Sequence, residues 1–131
     1  MIDNLPPTNT VLSMLDSQTP AIPAGAHVMT ATIEIPPGDP GTQPHRHSGP
    51  VFGYMLEGEM IFELEGEPAR VITAGEAFWE PGGDVIHYRA ANNLPDGWSR
   101  FVVVMLCAPG VEMMTFPDAE ELAARADRRV S

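Results

Sequence analysis

Three histidines carry the chemical signal of this 131-residue chain. Two of them stand two residues apart in Gln43-Pro44-His45-Arg46-His47. On a β-strand, alternate side chains share a face, so an H-x-H aims two imidazoles at one point. Neutral imidazole is the commonest protein ligand for a metal ion. A third, His87, ends the turn Pro81-Gly82-Gly83-Asp84-Val85-Ile86-His87. Whether that turn returns it to the pair is the question the spacing leaves open. Gln43 shares the strand parity of the pair and is a candidate fourth ligand, or an acceptor for a ring N–H. His27 has no such context and reads as a strand histidine.

These positions need a rigid scaffold, and the sequence punctuates itself like an all-β domain. Fourteen Pro and twelve Gly separate short apolar or alternating segments. Strands are predicted at His27–Ile35, Val51–Glu57, Glu59–Glu65, Ala69–Thr73, Ala77–Glu80, His87–Ala91 and Phe101–Leu106. Met60, Phe62 and Leu64 alternate with Ile61, Glu63 and Glu65, the period of a half-buried strand. Glu57, Glu63, Glu65 and Glu67 read as a solvated acidic rim. Trp79 and Trp98 read as packing residues. Phe101–Leu106 is apolar on both faces, which implies a second sheet or a second subunit against it and hence a homodimer. The periodicity turns helical only near the end, where Asp118–Arg125 has acids in its first turn. The expected organisation is an N-terminal arm over 1–25, a β-barrel over 26–116 and a helix over 117–131. Val11–Leu15 within the arm reads as either one helical turn or an addition to a sheet edge.

Composition excludes several functions. The formal net charge is −11, with seven Arg and no Lys, which repels phosphate backbones and anionic lipid. Neither nucleic acid nor a membrane surface is an expected partner; a small-molecule substrate is. Without lysine there is no Schiff-base chemistry and no P-loop. No apolar run approaches the ~20 residues of a membrane-spanning helix. The lone Cys107, among apolar neighbours, reads as a buried and inert thiol. It excludes an internal disulfide and, with no signal-peptide pattern at the N-terminus, implies a cytoplasmic protein.

The histidines also resemble the two motifs of the cupin superfamily, G-x5-H-x-H-x(3,4)-E-x6-G and G-x5-P-x-G-x2-H-x3-N. The first is matched from His45 through Gly58, and the second from Gly75 through His87 and Asn92. The resemblance implies a double-stranded β-helix, a jelly-roll barrel, with one C-terminal helix added. It also implies one divalent metal ion held by His45, His47 and His87, with iron expected and zinc, manganese or nickel as alternatives. The chain departs from the pattern at the glutamate position, which falls on Val51 or, with the longer spacing, on Phe52. His87 and Asn92 are each displaced by a residue. A three-histidine site without its acid is therefore expected, compatible with dioxygenase-like oxidative cleavage. The alternatives are a non-redox lyase, isomerase or epimerase using Tyr54, Tyr88, His27 or a glutamate as base, and a non-catalytic binding protein. Val51, Tyr54, Met55 and Arg89 are the expected pocket residues, Arg89 because it shares the strand parity of His87.

Overall fold

Alternation of large apolar and small or polar residues builds seven strands, followed by one short helix. In this computed structural model, which describes residues 7–130, the strands are β1 (His27–Ile35), β2 (Val51–Glu57), β3 (Glu59–Leu64), β4 (Arg70–Thr73), β5 (Ala77–Glu80), β6 (His87–Asn92) and β7 (Ser99–Cys107). Helix α1 (Ala119–Ala124) and a 3-10 turn at Ala126–Arg128 follow. All pairings between the strands are antiparallel. They make a four-stranded sheet in the order β1-β7-β2-β5 and a three-stranded sheet in the order β4-β3-β6. This is a jelly-roll arrangement, in which the expected barrel takes the form of two facing sheets.

The inner faces follow from parity. Phe101, Val103 and Met105 on β7 oppose Met55, Gly53 and Val51 on β2, and Val51 and Gly53 in turn oppose Glu80 and Phe78 on β5. Met60, Phe62 and Leu64 of β3 close the core from the other sheet, each nearly inaccessible. The rings of Phe62, Phe78 and Phe101 form a chain with centroids 5.3 and 5.6 Å apart, a spacing that suits tilted and edge-to-face contact. Gly53 is needed there: a Cβ would sit 2.1 Å from the Phe78 ring.

Asn92 knots the far end of the core. Its amide donates to the carbonyls of Ile35, Pro36 and Gly97, and its oxygen accepts from the Ser99 hydroxyl and the Leu94 N–H. A buried amide with every donor and acceptor employed fixes three loops at once.

The flanking regions differ from expectation. The described part of the arm, from residue 7 to 23, is neither helical nor paired to a sheet, and Val11, Leu12, Met14 and Leu15 are exposed. Glu63 and Glu65 are not a solvated rim. Glu63 is buried and takes Arg89 and Arg129, while Glu65 takes Arg125. These acids at the end of β3 thus hold down the C-terminal segment through Arg125 and Arg129. Trp79 stacks on Phe52 as a packing residue should, whereas Trp98 is exposed. Cys107 is buried, and burial pushes its thiol up, so it stays protonated. Among the described residues, no helix is long and apolar enough to cross a membrane.

Candidate metal centre

The H-x-H pair lies on a pair of isolated bridges instead of a full strand. His45 bridges His87, its N–H donating to the His87 carbonyl at 3.1 Å and its carbonyl accepting in return at 2.8 Å. The next residue, Arg46, bridges Thr115 in the same way. Alternation along these bridges turns both imidazoles inward. The Pro81-Gly82-Gly83 turn is pinned beneath them, with the Gly83 N–H donating to the His47 carbonyl at 2.7 Å. Gly82 has φ of 72° and lies so close to Gly49 that a Cβ would stand 2.0 Å from the Gly49 carbonyl oxygen. Only glycine fits this position.

The three predicted histidines do meet. His45 lies with its ring centroid 4.9 Å from that of His47 and 4.9 Å from that of His87. All three are buried. The Nδ1 of His45 is 2.8 Å from the Gln43 carbonyl, and the Nδ1 of His47 is 3.0 Å from the Met113 carbonyl. A carbonyl only accepts, so each Nδ1 carries the hydrogen and each Nε2 presents a lone pair. Burial pushes His45 down to about 4, so its ring is neutral at physiological pH, the form that binds metal.

A fourth residue completes the cluster, and it is an acid. Glu80 is buried, with one carboxylate oxygen 3.0 Å from the Nδ1 of His87 and 3.8 Å from the Nε2 of His47. Burial raises Glu80, but the imidazoles around it outweigh that and hold the carboxyl below its ordinary range. Ligand atoms of His45, Glu80 and His87 all lie within 4.8 Å of one another. Both ring nitrogens of His87 are buried without a hydrogen-bond partner, the approach to Glu80 lacking the alignment of a hydrogen bond. Buried polar atoms are rarely left so. Lone pairs converging on one point with a carboxylate are the donor set of a divalent cation, so these residues fit a metal.

Glu80 corrects the expectation of a site without an acid. The glutamate missing at Val51 is replaced from the neighbouring strand: Val51 and Glu80 are Cα partners in the β2–β5 ladder and face the same way. The signal was present in Ala77-Phe78-Trp79-Glu80, where alternation puts Glu80 on the inward face of Phe78.

The other predicted site residues are dispersed. Val51 lines the cavity beside the cluster. Met55 is completely buried in the core, away from that cavity. Tyr54 is on the outer face of its sheet and exposed. Gln43 is exposed too, and its contribution is the backbone carbonyl that orients His45, not its amide. Arg89 points outward to Glu63 at 2.9 Å. A bulge explains this: Leu64 faces His87 while Glu63 faces Arg89, leaving Tyr88 as the extra residue and reversing the parity beyond it. The same extra residue accounts for the displacement of Asn92.

The cluster lies in the wall of a cavity of about 330 Å³ between the sheets. Met29, Ile35, Met60, Phe78, Val103 and Met105 form much of its surface, and Met113 and Met114 of the C-terminal segment cover one side. The arrangement is a buried cluster able to hold a metal, facing an apolar chamber of ligand size.

A family profile described as a cupin domain matches residues 31–98. Among solved structures, the chain is similar to the polyketide cyclase RemF from Streptomyces resistomycificus, at 26% identity and a TM-score of 0.53 over 70% of this chain and 63% of that one. A predicted oxalate decarboxylase from Thermotoga maritima is 26% identical, with a TM-score of 0.51 over 64% and 69% of the two chains. A cupin-like protein from the same organism, 19% identical with a TM-score of 0.54 over 75% and 72%, shares the fold. The chain thus spans less than two thirds of the RemF chain it resembles. Comparison with curated proteins gave no match. The profile covers half of the chain and both histidine motifs, and the chain belongs to the cupin family.

Proposed function

We propose that this protein is a metal-dependent enzyme that acts on a small organic molecule, with oxidative cleavage at an iron(II) centre as its reaction. The observation that carries the proposal is the meeting of His45, Glu80 and His87 within 4.8 Å, buried and open to a cavity. Two histidines and a carboxylate with free positions are the donor set of non-haem iron oxygenases. His47 is a further ligand of the same centre. Bound iron would supply a site for dioxygen and for substrate oxygens together.

The chain's own residues do the rest. The carbonyls of Gln43 and Met113 hold the His45 and His47 tautomers. Glu80 offsets part of the positive charge. The methionine and phenylalanine walls exclude water and confine the substrate.

The non-redox alternative draws support from the resemblance to a polyketide cyclase. It needs a base, and the tyrosines and His27 proposed for that role are absent from the cavity lining. Glu80 and Asp39 are the acids that remain there, since the exposed Glu34 turns away to Arg100. Oxygen uptake by Fe(II)-reconstituted protein, measured across β-dicarbonyl and phenolic compounds, separates the two readings. Consumption that requires both iron and one compound of the panel is expected. No uptake with any compound, together with zinc or nickel in the isolated protein, would favour the non-redox reading.

The protein also acts as a homodimer in this proposal. The outer face of the four-stranded sheet carries Val28 and Tyr54, both exposed, beside the half-buried Phe52, Val102, Val104 and Leu106. Such a face resembles a dimer interface.

A further inference from the structure

The cavity is built without positive side chains. The sequence has no lysine, and none of its seven arginines lines the chamber. Arg46 and Arg125 pair with Glu121, Asp84 and Glu65, and Arg89 and Arg129 with Glu63. Apart from the metal cluster, the charged residues at its edge are Asp39, half-buried, and Glu34, whose exposed carboxylate turns to Arg100 on the outer face of the sheet.

We propose that the chamber selects an uncharged, largely apolar molecule that binds through two neighbouring oxygens, one of them a weakly acidic hydroxyl, and that it discriminates against compact dianions. This rests on the metal reading above. A divalent ion and the Glu80 carboxylate together leave one positive charge among neutral imidazoles. A ligand that gives up one hydroxyl proton to solvent as it binds neutralises that charge. A dianion such as oxalate leaves a net negative charge among Met29, Met60, Phe78 and Met105, with Asp39 at the edge and no guanidinium or ammonium in the lining to receive it. Burying unpaired charge in such surroundings is costly. Size points the same way, because a volume of about 330 Å³ accommodates a substituted ring, whose apolar surface the methionines and Phe78 would bury.

The test uses zinc-loaded protein, zinc being redox-silent, with metal content measured first by elemental analysis. Calorimetric titration then compares 2-hydroxyacetophenone, neutral with two adjacent oxygens, against oxalate. The expected result is affinity for 2-hydroxyacetophenone at least about tenfold above that for oxalate. Weaker but saturable binding to the metal-free protein is also expected, because the walls supply part of the affinity. Ile33→Arg, on the cavity-facing side of the edge strand β1, should narrow the preference by bringing a cation to the chamber. Oxalate binding as tight as that of 2-hydroxyacetophenone overturns the proposal, as does absence of saturable 2-hydroxyacetophenone binding to both forms. Failure to take up zinc instead overturns the metal reading, and the metal-free arm then decides the ligand preference by itself.

Discussion

Glu80, rather than Val51, brings a carboxylate to the histidine cluster. At the residue scale, Val51 holds the position where the family motif has its glutamate, and Glu80 stands directly across the ladder from it. Directly opposed residues on one face of an antiparallel pair have Cβ atoms only about 5 Å apart, so either strand can deliver an oxygen to the same region. This predicts a reciprocal exchange. Glu80→Val should reduce metal affinity by at least about tenfold, the scale seen when a site loses a supporting carboxylate. Adding Val51→Glu to that variant should restore much of the affinity. Titration with Zn(II) against a competing chelator reads both, and a double variant no better than Glu80→Val would refute the exchange. The histidine cluster was legible because its spacing is a local pattern. Glu80 was not sought because the motif places its acid elsewhere, although the Phe78–Glu80 alternation already turned it inward.

At the scale of elements, the C-terminal segment holds the site from outside. Thr115 bridges Arg46 between the two histidines, the Met113 carbonyl orients His47, and Arg46 makes a two-pronged contact with Glu121 of α1 at 2.6 and 3.0 Å. Arg125 joins α1 to Glu65 and Asp84. Hydrogen bonds from Arg129 hold Glu63 below its ordinary range, those from Arg125 do the same for Asp84, and those from Arg46 for Glu121. The unfolded chain takes up these protons near 4.5 for the glutamates and near 3.8 for Asp84, and the folded chain only at lower pH. Their stabilisation is therefore complete above that range and is lost as pH falls through the depressed values. Hydrogen exchange over residues 119–130 should show the helix protected at pH 7 and released in acid before the sheets open. Arg125→Ala, which strands a nearly buried Glu65, should cost about 3 kcal/mol in denaturant unfolding. Unchanged stability would show that the helix merely rests on the surface. The strands themselves were readable from alternation to within a residue or two at their ends. The Tyr88 bulge was not, since a single extra residue shows only as the displaced Asn92 and leaves the apolar run itself unbroken, and with it went the orientation of Arg89.

At the scale of the whole molecule, two apolar features have no partner among the described residues: the outer face of the four-stranded sheet and the arm carrying Val11, Leu12, Met14 and Leu15. The doubly apolar character of β7 pointed to this from the sequence, and its burial alternates between full and partial in the single chain. Sedimentation should give a dimer, and Val104→Arg, at the middle of that face, should shift it to monomer while circular dichroism stays unchanged. A wild-type monomer would remove the dimer from the account.

The proposed chemistry depends on a divalent ion seated among His45, His47, Glu80 and His87. Elemental analysis of untagged protein, with His45→Ala, Glu80→Ala and His87→Ala prepared alongside and checked for intact fold, tests that most directly. One divalent ion per wild-type chain is expected, iron by preference, and its loss from all three variants. Metal-free wild-type protein that takes up no added ion, or folded variants that keep theirs, would contradict it.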